Sequence, residues 1–173
     1  MGRRLDYTVA FNAPAGKIYQ DLTSRQYWDA LSDAYLCLNS PSEVASFCTG
    51  ESGTDVVFKH FQPRSELPPV VRAVMPVDLV VARAQHYDPF DTDANSATGH
   101  FRATVPAMPG QFSGRYHLTE TDGGERSQLR LATECKVHIP MVGGTLEKLI
   151  LSGITALFDA EEAFTADWIT KHH

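Results

Sequence analysis

The final thirty residues constrain this chain more than any other stretch. Wound as a helix at 100° per residue, residues 140–171 place Val142, Leu146, Leu149, Ile150, Gly153, Ile154, Leu157, Ala160, Phe164 and Trp168 on one continuous face. Lys148, Ser152, Thr155, Asp159 and Glu162 fall opposite. A long one-sided helix needs a broad apolar partner, and the upstream chain supplies alternating, β-branched and aromatic segments that suit a curved sheet.

Those segments follow in order. Leu5, Tyr7, Val9 and Phe11 alternate with polar or small residues at the two-residue period of a half-buried strand. Asn12-Ala13-Pro14 breaks that strand and opens a short helix carrying Ile18, Tyr19 and Leu22. Thr23 or Ser24 caps a second helix with Tyr27, Trp28, Leu31 and Tyr35 at helical spacing. Strands are expected over 43–50, 54–62, 77–88, 100–106, 112–121 and 128–139, with Gly53 and Asp122-Gly123-Gly124 at turns. Over 67–75, with Pro68-Pro69 and Pro76 alongside, Leu67, Val70, Val71, Val74 and Met75 make one or two turns of amphipathic helix or an apolar loop. The expected fold is α+β: a curved antiparallel sheet wrapped around a long C-terminal helix, with two short helices after the first strand, in a single domain over 1–173.

Face parity runs through the last hairpins. With Phe101, Ala103 and Val105 inward, Tyr116, Gly114 and Phe112 become their neighbours, and Leu129, Leu131, Thr133, Cys135 and Val137 continue the row. The same register brings Arg115 near Glu134 and His100 near His117 on the outer face.

Charge and composition remove several classes of function. A net charge of -6 argues against binding a phosphate backbone, so no nucleic-acid partner is expected. Cys37, Cys48 and Cys135 do not form a disulfide framework, which suits a reducing cytoplasm. The N-terminus runs directly into polar alternation without an apolar signal core. No apolar run is long enough to span a membrane, and Asp6 breaks the myristoylation pattern. G-x-S-x-G, H-E-x-x-H, Walker and G-x-G-x-x-G signatures are absent, so no catalytic residue, metal or cofactor is assigned.

This order of elements resembles the START-like, helix-grip superfamily, which includes polyketide cyclases, aromatases, lipid-transfer domains and plant allergens of the Bet v type. Val105-Pro106-Ala107-Met108-Pro109-Gly110, and Pro140-Met141-Val142-Gly143-Gly144-Thr145-Leu146-Glu147-Lys148, look like an uncharacterised bacterial family within it. The resemblance implies a sheet gripping the C-terminal helix around an apolar cavity. Carriers and enzymes share this fold, so function must come from the site. Locally, Pro140 and the two glycines let the chain leave a strand and start a helix, and Glu147 complements the helix dipole.

The site residues follow from this frame. Gly153 in mid-helix costs roughly 1 kcal/mol against Ala and either opens the cavity or allows close packing on a sheet aromatic. If Leu79 and Val81 face inward, so do Arg83, Gln85 and Tyr87; a bulge would reverse this. An inward Arg83 favours a carboxylate on an otherwise apolar ligand. Tyr87, Tyr116 and Thr133 orient the ligand, Phe101, Phe112, Leu131, Ile154 and Leu157 form the wall, and 67–75 is a candidate lid. A thinner stripe of Leu151, Phe158 and Ile169 packs on the N-terminal helices or forms a homodimer contact; monomer and homodimer both remain open. Binding or carriage of a small hydrophobic, lipid- or polyketide-like ligand is the leading reading. A cyclase, aromatase or dehydratase, and an association domain with a filled cavity, are its rivals.

Overall fold

The computed structural model describes residues 2–38 and 40–173. Strand β1 (Arg3–Phe11) leads into α1 (Ala15–Leu22) and α2 (Arg25–Cys37), followed by β2 (Ser42–Gly50) and β3 (Gly53–Gln62). One helical turn, α3 (Pro69–Arg72), separates these from β4 (Leu79–Tyr87), β5 (Ala97–Thr104), β6 (Gly110–Thr121) and β7 (Arg126–Val137). The chain then runs into the 30-residue helix α4 (Gly143–His172). The strands form one antiparallel sheet ordered β1-β7-β6-β5-β4-β3-β2. Because β1 and β2 lie at opposite edges, α1 and α2 must carry the chain across the width of the sheet. This is the helix-grip arrangement expected from the order of elements.

The inner face follows the two-residue parity. Phe101, Phe112, Tyr116, Leu129, Leu131, Thr133, Cys135 and Val137 are all buried. The pairing is offset by two residues from the expected one: Phe101 lies opposite Gly114, Ala103 opposite Phe112, and Gly99 opposite Tyr116. The turn after Val105, closed by Met108 N–H donating to the Val105 carbonyl, lengthens the connection by an even number of positions, so the faces survive while the partners change. Across the next turn, at 122–125, the β6–β7 register is also shifted by two from the expected one: Arg115 sits opposite Ala132, and Arg4 takes Glu134 at 2.9 Å. His100 stacks on His86, with centroids 5.2 Å apart, and Thr98 is opposite His117. Gly114 is required here, because a Cβ at this position would collide with the Phe101 ring and the Ala132 carbonyl.

Two apolar clusters fill the concave side. One joins α1, α2 and the C-terminal half of α4, where Tyr27 meets Trp28, Phe164 and Trp168 edge to face at 5.4, 5.5 and 5.7 Å. The other joins the segment around α3 to the start of α4 through Leu67, Val71, Met75, Phe112, Leu146 and Leu151. Met75 is 1% exposed, so this segment is seated in the core.

Helix α4 is rotated by roughly a quarter of a turn from the face read off its apolar residues. Its buried residues are Gly143, Leu146, Glu147, Leu151, Phe158, Thr165 and Ile169, while Leu149, Ile154, Leu157, Phe164 and Trp168 are half-buried at its flanks. The thinner stripe of Leu151, Phe158 and Ile169 is thus the core stripe. Gly153 lies on the exposed side, where an added Cβ would meet nothing within 4 Å. Polar groups on the sheet explain the rotation. The helix turns toward them the residues that pair with them, a requirement that apolar periodicity does not register.

The motif at 140–148 fixes where α4 starts. A Cβ at Gly143 would lie 2.8 Å from the Val137 carbonyl, so the helix can approach the end of β7 only with glycine there. Glu147 is 4% exposed, and its carboxylate accepts the Val137 N–H at 2.9 Å. It ties the helix to the last strand residue instead of acting on the helix dipole.

Candidate functional site

Strand β4 keeps its parity without a bulge through both of its pairings, from Gln62 opposite Leu79 to Tyr87 opposite Gly99. Arg83, Gln85 and Tyr87 therefore point inward and are 5, 3 and 4% exposed. A buried guanidinium requires a partner, and Glu161 of α4 supplies it in bidentate form: Nη1 donates to Oε2 at 3.1 Å and Nη2 to Oε1 at 2.5 Å. Burial works against the charge of Arg83, but Glu161 more than compensates and the guanidinium is held protonated. The carboxylate expected from a ligand is thus already provided by the protein.

Next to this pair, the hydroxyls of Tyr87 and Tyr116 both bond the side-chain oxygen of Gln85, the former at 3.2 Å. Their rings stack at 5.2 Å, and Phe101 leans on Tyr116 at 5.4 Å. Burial raises both phenols, so they are hydroxyls and not phenolates at neutral pH. The Gln85 amide nitrogen and the Arg83 Nε are buried without a partner. On the other side of Arg83, Phe58 lies under the guanidinium at 6.0 Å, and His60 meets Tyr35 edge to face at 5.2 Å. Burial and the positive charge of Arg83 push the His60 ring down to about 3, so it is neutral.

A cavity of about 60 Å³ lies where these groups meet α4. Arg83, Gln85, Tyr87 and Tyr116 form its polar floor, and Val9, Leu131 and Phe158 are among its apolar walls. Glu161 and Glu162 border it from the helix. Glu162 and Asp159 are both held by Tyr7 of β1, whose hydroxyl lies 2.9 and 2.6 Å from their oxygens. Tyr27 and Thr165 share a hydrogen bond of 2.7 Å at the α2–α4 contact. A second hollow, near 430 Å³ and open, lies at the start of α4 beside Arg3, Gly144 and Glu147.

Four of the ten residues expected at the site line the cavity: Arg83, Tyr87, Tyr116 and Leu131. Phe101, Phe112 and Thr133 are buried on the sheet without lining it, with the Thr133 hydroxyl unpartnered. Ile154 and Leu157 are half-buried, and Gly153 is on the exposed side of the helix. Among the described residues, no group of three or more His, Cys, Asp or Glu side chains is arranged to hold a metal. Among the described residues, no helix is long and apolar enough to cross a membrane.

The model of one family, described as "Protein of unknown function (DUF2505)", matches residues 6–169. The chain belongs to this family. An uncharacterized protein of Mycobacterium tuberculosis, Rv0481c, is 26% identical to this DUF2505 chain over 180 residues, covering 99% of each. Among solved structures, protein Ms6760 of Mycobacterium smegmatis is 16% identical with a TM-score of 0.60, over 98% of this chain and 92% of that one. The Zhui aromatase/cyclase of Streptomyces sp. R1128 is 16% identical with a TM-score of 0.55, over 95% and 93%. Norcoclaurine synthase of Thalictrum flavum is 14% identical with a TM-score of 0.53, over 99% and 88%. These structural likenesses establish the fold alone.

Within this DUF2505 chain, sequence reasoning missed Glu161, Glu162, Tyr7, Phe158 and Thr165. The available signal was phase: Phe158, Glu161, Thr165 and Ile169 share the stripe begun by Leu151, and a buried Arg on the sheet called for an acid on the helix facing it.

Proposed function

We propose that the protein, acting as one START-like domain over 1–173, binds a small hydrophobic molecule between its sheet and α4 with a polar group seated against Arg83, Gln85 and Tyr116. The observation that carries this reading is the cavity floor, where buried hydrogen-bonding atoms of Arg83 and Gln85 are left unpartnered beside an apolar wall. At about 60 Å³ the cavity admits a head group, so accommodation of a whole ligand requires α4 or α2 to move outward. The helix-grip fold, shared with an aromatase/cyclase, is congruent with such a site.

The test is titration with Nile red, a neutral apolar dye, into the wild type and Leu131→Phe. The larger ring fills the cavity at an overpacking cost of about 1–3 kcal/mol. Val9→Ile provides a milder filling variant. Binding to the wild type that weakens in both variants while their folds persist supports the reading. No binding to the wild type, or equal binding to all three, refutes it and favours an association domain with a filled interior.

Glu162 motivates a second reading. It is a carboxylate bordering the same cavity as the donors on Arg83, Gln85 and Tyr116, the arrangement needed to take a proton α to a carbonyl while the oxygen is held. Enolisation would appear as wild-type exchange of solvent deuterium into the methyl group of 2-acetylnaphthalene, lost in Glu162→Gln. Exchange at the buffer rate would dismiss it.

A further inference from the structure

The hydrogen-bonding inventory of the cavity restricts the chemistry of the group it seats, and this step rests on the binding reading above. Gln85, Tyr87 and Tyr116 together carry four polar hydrogens, two on the amide and two on the hydroxyls. In the structure, both hydroxyls meet the amide oxygen, leaving the two amide hydrogens free. With the amide turned over, its two hydrogens would go to the hydroxyl oxygens and the two hydroxyl hydrogens would be free instead, but the amide oxygen would then be buried without a partner, which favours the observed orientation. Two donors are in surplus in either orientation, and the Arg83 Nε–H adds a third. All belong to side chains at least nine-tenths buried.

A surplus of donors calls for an acceptor, and the charge around the cavity determines which kind. Among the described residues Arg83 is the one cation on the lining, and Glu161 already engages both of its terminal nitrogens. Glu162 adds a second acid, so the lining is formally negative. An entering carboxylate would face Glu162 without a free cation, or would have to expel Glu161 from Arg83 and leave that acid uncompensated.

We infer that the seated group is a neutral carbonyl oxygen, of ketone, aldehyde, ester or amide type, and that a free carboxylate is selected against. Arg83 acts here as an internally neutralised donor platform. Glu161 sets the specificity by occupying the place a carboxylate ligand would take.

The experiment compares four probes on one ring system: 2-acetylnaphthalene, 2-naphthoate, 2-ethylnaphthalene and 2-(aminomethyl)naphthalene. Each competes with Nile red on the full chain. The ketone is expected to bind at least about tenfold more tightly than the other three, the order of one well-made buried hydrogen bond. Its advantage over the ethyl compound shrinks in Gln85→Glu, whose carboxylate accepts from both hydroxyls and brings no amide hydrogens. Should that variant not fold, the carbonyl stretch of 2-acetylnaphthalene bound to the wild type decides: a frequency below that in hexane reports the hydrogen bonds, and an unshifted band overturns the inference. If none of the four binds and Nile red does not bind either, the binding reading itself has failed. If the probes bind but naphthoate or the amine equals the ketone, the binding reading stands and the carbonyl assignment is wrong. Equal binding of ketone and ethyl compound likewise overturns it, because the donors are then satisfied by water.

Discussion

Replacing Glu161 with leucine isolates the energetics at the centre of the fold. The Arg83 side chain is 6% exposed and Glu161 14%, so the pair is shielded from water. Glu161→Leu leaves the guanidinium charged in place, with Nη1 and Nη2 joining Nε as donors without a partner. Breaking a buried pair from one side costs about 3–5 kcal/mol. At about 2.1 cal/mol/K per residue, 173 residues unfold with roughly 0.36 kcal/mol/K, so the melting temperature should fall by about 8–14 °C. Arg83→Met costs less, because the acid left behind is the more exposed partner and can reach water or take a proton. The double variant Arg83→Met/Glu161→Leu buries apolar groups of similar size and should melt within about 3 °C of the wild type, since an apolar replacement of such a pair is close to neutral. Circular dichroism melts of the four proteins measure the coupling. A Glu161→Leu loss under about 2 °C, or a double variant whose loss equals the sum of the single ones, refutes a buried and coupled pair.

Further predictions follow from separate parts of the structure. Gly153→Ala should raise stability by about 0.7–1 kcal/mol in urea unfolding, because the added methyl meets no atom and the helix gains a better former; destabilisation would place the position against a neighbour. With its ring pushed down to about 3 against about 6.5 when unfolded, His60 should show no imidazole titration by NMR between pH 8 and 5. Below pH 6.5 the unfolded chain gains a proton that the folded chain refuses. This group therefore costs about 1.4 kcal/mol of stability per pH unit, roughly 2 kcal/mol by pH 5; a His60 resonance titrating near 6.5 would contradict its burial. Burial, with Glu147 nearby, pushes the Cys135 thiol up to about 11. Iodoacetamide on the native protein at pH 8 should alkylate the exposed Cys37 and Cys48 and spare Cys135, and three adducts by intact mass would show otherwise.

Periodicity made the architecture legible. Alternation at Leu5–Phe11 and at Leu129–Val137 set both the strands and their faces, and parity alone carried Arg83, Gln85 and Tyr87 inward. Pairing partners were less legible, because a turn lengthened by two residues leaves every face unchanged while moving Phe101 from Tyr116 to Gly114. The helix was read on its wrong face for a physical reason. Apolar periodicity weighs Leu149, Gly153 and Leu157, but the helix is oriented by what the sheet must have satisfied. Glu147 meets Val137, Glu161 meets Arg83, Glu162 meets Tyr7 and Thr165 meets Tyr27. Each of these contacts joins residues distant in sequence except the first, so no local pattern contains them. The same blind spot turned Arg83 into an expected anchor for a ligand carboxylate. The acid it uses lies 78 residues downstream on α4.

The measurement that tests the central claim most directly is native mass spectrometry of the purified full chain, followed by denaturing extraction and identification of whatever came with it. The account predicts a neutral, carbonyl-bearing hydrophobic molecule bound one to one and absent from Leu131→Phe prepared in parallel. Contradiction would be a bare polypeptide mass that stays bare after incubation with 2-acetylnaphthalene, or a bound molecule retained equally by the cavity-filling variant.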